Sequence, residues 1–293
     1  MRQLFCRNAR LPHSGMYQLQ SRGISISARS FKLTEQVSEQ PPENTHGQLV
    51  KVNSSSDTKL ESVLEILQTS IIQKNKNSLF IWTTPTTRLN SNYEDSIYPG
   101  HTFSSVTDEQ GKTVCFISKR PNTTTVLGEH QRVPDTRFKN QSGKTRLFTP
   151  RFSTIHEELE QWYKRSVAVQ EYPLFVHIIP FHDKLGLDVE TYKSNVNYLL
   201  GSQEPYTLFS FLHPSGNRYI RAANCNSATE QSIFGLNSTS VQDLSCQDAA
   251  MKIVMRLIKS KYSYITAAEY LGLTKEIEPS TIPEDLYYAS FTC

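Results

Sequence analysis

The chain has 293 residues, with 31 lysines and arginines against 28 aspartates and glutamates, which gives a formal net charge of +3. Its first 34 residues contain no acidic side chain, since the first one is Glu35. No apolar run among them reaches seven residues, whereas a secretory signal core needs about 7 to 15 and a membrane span about 20. The composition argues against both kinds of segment at this end.

Residues 1–31 are predicted to be a mitochondrial presequence, because they are rich in arginine and serine and lack acids. The segment also resembles the processing pattern of such leaders: an arginine, an aliphatic residue two places on, and Ser, Thr or Gly three further. Arg22, Ile24 and Ser27 match this pattern and place the cut after Phe31, with a cut after Ser30 as the alternative. A basic tail or a membrane-surface helix is the other interpretation.

Removal of residues 1–31 takes away five arginines and changes the formal charge from +3 to −2. The mature protein is therefore not basic overall, which disfavours a general nucleic-acid-binding surface. We expect a location in the mitochondrial matrix, with peripheral contact with the inner membrane left open.

Residues 32–57 contain a proline pair and a serine triplet, and they are predicted to form a disordered linker. Residues 58–293 are long enough for one large core and are predicted to form a single domain, with 58–150 and 151–293 as alternative halves.

The N-terminal part of this domain is predicted to begin with a helix from the capping box of Thr58 and Glu61 to about Lys74. A buried strand is predicted at 79–83. A hairpin follows, with strands at 101–106 and 113–118 around the turn 108–111.

The C-terminal part opens with a second capping box, Thr154 and Glu157, which begins a second helix that ends before Pro173. A strand is predicted after it, at 174–179. Asp188 is predicted to cap a third helix that stops at Gly201. The remaining predicted elements are a hairpin with strands at 206–212 and 217–222, a helix from Ser245 to about Ile258, and a short helix from Thr266 to Gly272. This order predicts an α+β fold with a mixed sheet, flanking helices and a helical C-terminal part.

Two similar stretches, 79–89 and 174–185, both begin with Leu-Phe-aliphatic and place a proline six residues later. They suggest two related helix–strand–hairpin units. A chance likeness between two buried strands is the alternative.

The sequence contains none of the common catalytic or nucleotide-binding motifs, so no catalytic residue, cofactor or metal site is predicted. The five cysteines are never closer than 21 residues, and no disulfide framework or zinc motif is present. Cys225 with His213 is a conceivable nucleophile and base, but sequence alone supplies no orienting acid. His177 and His182 are expected on opposite faces of a strand.

Segment 119–151 is the most suggestive interior stretch, since it contains eight lysines and arginines against two acids. Aromatic residues among cations are typical of single-stranded RNA binding, and the segment is predicted to be a long surface loop. Its candidate binding residues are Lys119, Arg120, Arg132, Arg137, Phe138, Lys139, Lys144, Arg146, Phe148 and Arg151. A solvated basic loop is the other interpretation.

The leading hypothesis is a mitochondrial auxiliary factor of organelle gene expression that binds RNA or the mitochondrial ribosome through this segment. The first alternative is an assembly chaperone for a respiratory-complex subunit, which would use exposed apolar patches. The second alternative is an enzyme without a recognisable motif. A deep pocket lined by ionisable groups with shifted pKa values would favour the enzyme.

Overall fold

A computed structural model of the chain describes residues 48–53, 59–88, 97–98, 100–127, 129–138, 147–168, 172–182, 185–208, 212–215, 218–257, 275–277 and 289–290. All of them belong to one compact unit, Pro42–Cys293. The presequence residues Arg22, Ile24, Ser27 and Phe31 and the predicted helix from Thr266 lie outside the described residues.

The described strands and helices confirm the predicted α+β class. The strands are β1 (Gln48–Val52), β2 (Ser78–Thr84), β3 (Thr87–Arg88), β4 (Ile97–Tyr98), β5 (His101–Thr107), β6 (Thr113–Ile117), β7 (Lys119–Pro121), β8 (Thr123–Val126), β9 (Glu129–Arg132), β10 (Pro150–Phe152), β11 (Leu174–Pro180), β12 (Leu212–Ser215), β13 (Arg218–Arg221), β14 (Lys275–Ile277) and β15 (Ala289–Ser290). The helices are α1 (Leu60–Ile66), which continues as a π-helical stretch over Leu67–Ile72, α2 (Ile155–Ala168), α3 (Val189–Ser202), α4 (Cys225–Phe234) and α5 (Cys246–Leu257).

The main sheet has the strand order β14-β1-β11-β2-β5-β6, and β15 also pairs with β1. Only the β1–β14 pairing is parallel; the other described pairings in this sheet are antiparallel. Strand β11 lies between β1 and β2, so the two predicted halves share one sheet. The duplicated unit gains no support, because β5 and β6 belong to this sheet whereas β12 and β13 form a separate two-stranded one.

The sheet is covered by helices on both faces, which explains why its central strands are continuously apolar. In β2, Leu79 and Ile81 pack with the α3–α5 side, whereas Phe80 and Trp82 pack with the α1–α2 side. This alternation follows from the two-residue period of a strand. Among the described residues, no helix is long and apolar enough to cross a membrane.

Local capping explains where the helices start. Thr154 Oγ1 accepts a hydrogen bond from Glu157 N at 3.2 Å, and the Glu157 carboxylate accepts one from Thr154 N at 2.7 Å, as the capping-box prediction requires. Asp188 Oδ1 accepts from Thr191 N at 2.6 Å and begins α3. The predicted strands at 79–83 and 174–179 and the hairpin of β5 and β6 are likewise confirmed.

Other predictions differ from the structure. Residues 48–52, within the predicted linker, form the buried strand β1, whose Leu49, Val50 and Val52 have no exposed surface. Helix α1 begins after Lys59 without a side-chain cap. The second hairpin is shorter and shifted to β12 and β13. Helix α4 was not predicted at all.

Segment 119–151 is not one long loop, because most of its described residues are in short strands. Strand β7 pairs with β10, and β8 pairs with β9 in a hairpin in which every strand residue is exposed. A 3₁₀ turn, Thr136–Phe138, follows the hairpin.

Candidate active site

The first residues of β5, α4 and α5 converge at one end of the main sheet. His101 begins β5, Cys225 is the first residue of α4, and Cys246 is the first residue of α5. All three are nearly buried, with exposed fractions of 3%, 6% and 8%. Two thiols and an imidazole are therefore brought together from distant parts of the chain.

Helix α4 is positioned by a capping box. The Asn224 side chain accepts a hydrogen bond from Ser227 N, and the Ser227 hydroxyl accepts one from Asn224 N. Two further hydrogen bonds tie this helix start to the chain before α5: Asn224 Nδ2 donates to Gln242 O at 2.6 Å, and Asn226 Nδ2 donates to Leu244 O at 2.8 Å. They hold the two helix N-termini side by side.

The two thiols have opposite tendencies to ionise, and their sulfur atoms are 3.8 Å apart. A hydrogen bond from Cys246, together with hydrogen bonds from His101 and from the backbone of Thr102, holds the pKa of Cys225 well below its ordinary value against the effect of burial. The pKa of Cys246 is raised well above its ordinary value, because its hydrogen is donated to Cys225 and burial disfavours a second charge. Both cysteines lie at helix N-termini, which favour a thiolate. The hydrogen bonds that Cys225 accepts make it the more acidic thiol of the pair.

His101 is connected to a buried carboxylate through a serine. Its Nε2 atom is 2.7 Å from Ser118 Oγ, which donates to Glu158 Oε1 at 2.7 Å. Because the single hydroxyl hydrogen goes to Glu158, Ser118 can only accept from His101, so Nε2 carries a hydrogen. Nδ1 is then the acceptor nitrogen of the neutral ring.

Glu158 is the anionic end of this chain of hydrogen bonds. Burial alone would raise its pKa, but His101, Arg120 and Ser118 together lower it to about 2. Arg120 forms a two-pronged hydrogen-bonded ion pair with it through Nε and Nη2. A carboxylate that is ionised at neutral pH fixes the imidazole by charge and by hydrogen bonding, as the third member of a catalytic triad does.

A cavity of about 420 Å³ opens onto the thiols and the imidazole. Its charged walls include Arg120, Arg132 and Arg165, opposed by Asp243. Tyr206 also lines it, and burial raises the pKa of that phenol well above its ordinary value, so the hydroxyl stays a hydrogen-bond donor. The cavity is within the usual size range for a small-molecule site.

Gly100 allows β5 to begin where it does. A Cβ atom at this position would be 2.3 Å from the carbonyl oxygen of Thr84, a distance no side chain tolerates. The residue before His101 must therefore be glycine for the strand to keep this close approach.

Those predicted binding residues of segment 119–151 that the structure describes are not gathered on one surface. Lys119 is buried, and burial lowers its pKa to about 8. Arg120 belongs to the candidate site. Arg132 stacks over Phe148, with 5.5 Å from its guanidinium carbon to the ring centroid. Arg132 also lines the cavity.

The other predicted binding residues have internal partners or fall outside the described chain. Arg137 pairs with Asp135 at 2.6 Å and stacks over Phe138, and Arg151 pairs with Glu157 at 2.7 Å. Lys139, Lys144 and Arg146 lie outside the described residues.

Sequence reasoning named Cys225 but gave it His213 as partner, and the side chain of His213 lies outside what the structure describes. It did not find His101, Ser118, Glu158 or Cys246, which only the fold brings together. One local signal was present: Asn224 followed three residues later by Ser227 is a helix-start pattern. It would have placed Cys225 at a helix N-terminus.

Comparison of the chain with protein-family models, curated proteins and solved structures finds no match. The described residues contain no group of three or more His, Cys, Asp or Glu side chains placed to hold a metal ion.

Proposed function

We propose that this protein is a cysteine-dependent enzyme that transfers or hydrolyses an acyl group, with Cys225 as nucleophile and His101 as general acid and base. The observation that carries the proposal is the buried hydrogen-bonded chain His101–Ser118–Glu158, whose histidine lines the same cavity as Cys225. A thiol with a lowered pKa that lines a cavity together with a histidine is the usual arrangement of a nucleophilic cysteine.

The reaction begins when the Cys225 thiolate attacks the carbonyl carbon of an ester, thioester or amide. Negative charge then develops on the carbonyl oxygen. The first backbone N–H groups of a helix have no partner within the helix. Ser227 N donates to the Asn224 side chain, so the N–H groups of Cys225 and Asn226 are the ones suited to stabilise this oxyanion. The Tyr206 hydroxyl supplies a further donor from the cavity wall.

His101 handles the protons. It takes the proton of Cys225 at Nδ1 when the thiolate forms and donates this proton to the leaving group as the tetrahedral intermediate collapses, which leaves the acyl group on Cys225. It then removes a proton from water or from an acceptor that attacks the acyl-enzyme. Glu158 and Ser118 position the imidazole and do not contact the substrate. Arg132 and Arg165 make the cavity favourable for an acyl group that carries negative charge.

The test is a search for a covalent intermediate. The purified protein is mixed with p-nitrophenyl esters, acyl thioesters and fluorogenic amides, each with and without a carboxylate on the acyl chain. We expect a burst of product about equal to the protein concentration and an acyl adduct on the Cys225 peptide by mass spectrometry. Cys225→Ala should abolish both, and Cys115→Ser is the matched control that should retain them. Absence of an adduct on Cys225 with every substrate would overturn the proposal.

Binding of RNA or the mitochondrial ribosome by segment 119–151 stays a second proposal, which the exposure of the β8–β9 hairpin favours. Replacing Arg137, Lys139, Lys144 and Arg146 by alanine should weaken a salt-sensitive association without unfolding the protein. Co-sedimentation that is unchanged across a salt series would remove it. Import into mitochondria remains a prediction from residues 1–31. The alternative function of an assembly chaperone for a respiratory-complex subunit also remains a prediction.

A further inference from the structure

Cys246 takes no covalent part in the proposed acyl transfer, although its hydrogen bond stabilises the Cys225 thiolate. The 3.8 Å between the two sulfur atoms must shorten to about 2.05 Å to make a disulfide. A movement of less than about 2 Å is within reach of side-chain rotation at the first turn of a helix. The pair is therefore close enough to cross-link and far enough apart to be stable as two thiols.

The surrounding structure keeps this proximity fixed. The hydrogen bonds from Asn224 to Gln242 and from Asn226 to Leu244 hold the start of α4 against the chain that enters α5. Both cysteines line the cavity, so a small oxidant has access to them. Cys115, the third described cysteine, lies in β6, and its thiol pKa is raised mainly by burial.

We propose that Cys225 is a site of oxidation by hydrogen peroxide or another small hydroperoxide, and that Cys246 resolves the oxidised form into a reversible disulfide. This inference extends the proposed function, because the disulfide would remove the nucleophile and silence acyl transfer. The oxidation itself does not require that the protein be an acyl transferase.

The chemistry has two balanced steps. The Cys225 thiolate attacks one peroxide oxygen, the O–O bond breaks, and Cys225 becomes a sulfenic acid while hydroxide leaves and takes a proton from water or His101. The Cys246 sulfur then attacks the sulfenic sulfur, the S–O bond breaks, and water leaves with the Cys246 proton. Two thiols have lost two electrons to the peroxide, and a dithiol reductant reverses the change.

The two cysteines differ in their tendency to ionise, and this difference suits the two steps of the reaction. The residue with the stabilised thiolate reacts first, because oxidation by peroxide requires thiolate character. The neighbour that keeps its proton is protected from direct oxidation. Once Cys225 is a neutral sulfenic acid, the thiolate charge and the hydrogen bond that raised the pKa of Cys246 are lost, so Cys246 can give up its proton and attack the adjacent sulfur. Without Cys246, the sulfenic acid would persist and oxidise further to sulfinic acid.

The experiment uses the full chain, treated with one to five equivalents of hydrogen peroxide and digested without reduction. We expect a disulfide-linked Cys225–Cys246 peptide that dithiothreitol removes. In the Cys246→Ser variant we expect a sulfenic acid at Cys225 that dimedone traps, followed by sulfinic acid at higher peroxide. Cys115 serves as the internal control and should stay unmodified.

Comparing disulfide formation with acylation of the reduced protein separates this inference from the proposed function. If peroxide forms the disulfide but the reduced protein acylates no substrate, the oxidation site stands and the acyl-transfer proposal fails. If the protein turns over esters while peroxide leaves Cys225 as a dimedone-reactive sulfenic acid in the presence of Cys246, the resolving role is overturned. Disulfides that join Cys225 to other cysteines instead of Cys246 would also overturn it.

Discussion

Two buried histidines lie in the same sheet but in different surroundings. His177 is in the middle of β11, between β1 and β2, and burial lowers its pKa to about 3. His101 is at the start of β5, where its Nε2 is 2.7 Å from Ser118 Oγ and 3.6 Å from Glu158 Oε2. Burial keeps His177 neutral. His101 is buried beside a carboxylate and lines a cavity with two thiols, and for this reason we propose the end of the sheet as the reaction site.

The largest expected effect comes from replacing each of the two histidines in turn and comparing the loss of turnover. His101→Ala should lower turnover of the substrate that acylates Cys225 by about 10²- to 10⁴-fold, the usual contribution of a general base. His177→Leu should fold and leave turnover unchanged, because His177 does not reach the cavity. Steady-state kinetics at pH 5 to 8, with circular dichroism as the folding check, measure both. Equal losses in the two variants would show that the comparison is wrong.

The next effect is on stability and concerns neighbouring glutamates on α2. Glu158→Gln leaves Arg120 without its buried counter-ion and should lower the free energy of unfolding by about 3 to 5 kcal/mol at pH 7. Glu157→Gln is the matched control, which loses an exposed ion pair but keeps a side-chain oxygen for the capping box, and it should cost less than about 1 kcal/mol. Urea denaturation of both variants gives the two values.

The stabilisation from the ion pair of Glu158 with Arg120 depends on pH in a direction that follows from the pKa of Glu158. The folded pKa of Glu158, about 2, is below its ordinary value of 4.5, so the unfolded chain binds the extra proton between these limits. The stabilisation is present above about pH 4.5 and is lost as the pH falls towards 2. Glu158→Gln should remove this loss, and a variant that keeps the full wild-type slope would contradict the assignment.

Over the measured range of pH 6.5 to 5, the smallest effect is the pH dependence due to His177. Its folded pKa of about 3 is below that of the unfolded chain, so stability is complete above about pH 6.5 and decreases by about 1.4 kcal/mol per unit as the pH falls. His177→Leu should be flatter than wild type between pH 6.5 and 5. Parallel curves for the two proteins would mean that His177 is already protonated in the fold.

The sequence predicted those parts of the fold that depend on local patterns. The strands beginning at Leu79 and Leu174 and the caps at Thr154 and Asp188 are set by neighbouring residues, and the structure confirms them. Helix α4 was missed because its polar residues are buried and it has no apolar stripe.

The candidate site could not be assembled from sequence for a different reason. His101, Glu158 and Cys225 come from separate elements, and only the sheet order and the two helical layers bring them together. A basic segment is visible in a sequence, whereas its internal ion pairs, such as that of Arg120 with Glu158, are not.

The central claim is that Cys225 is a thiolate nucleophile maintained by its surroundings, and the rate of its alkylation as a function of pH tests it most directly. Iodoacetamide labelling, quantified separately for the Cys225 and Cys115 peptides, should show Cys225 still reacting fast well below the pKa of about 8.5 of an ordinary thiol, while Cys115 slows. His101→Ala should raise the pH at which Cys225 reacts. If Cys225 and Cys115 follow the same curve, or His101→Ala leaves that of Cys225 unchanged, the account is contradicted.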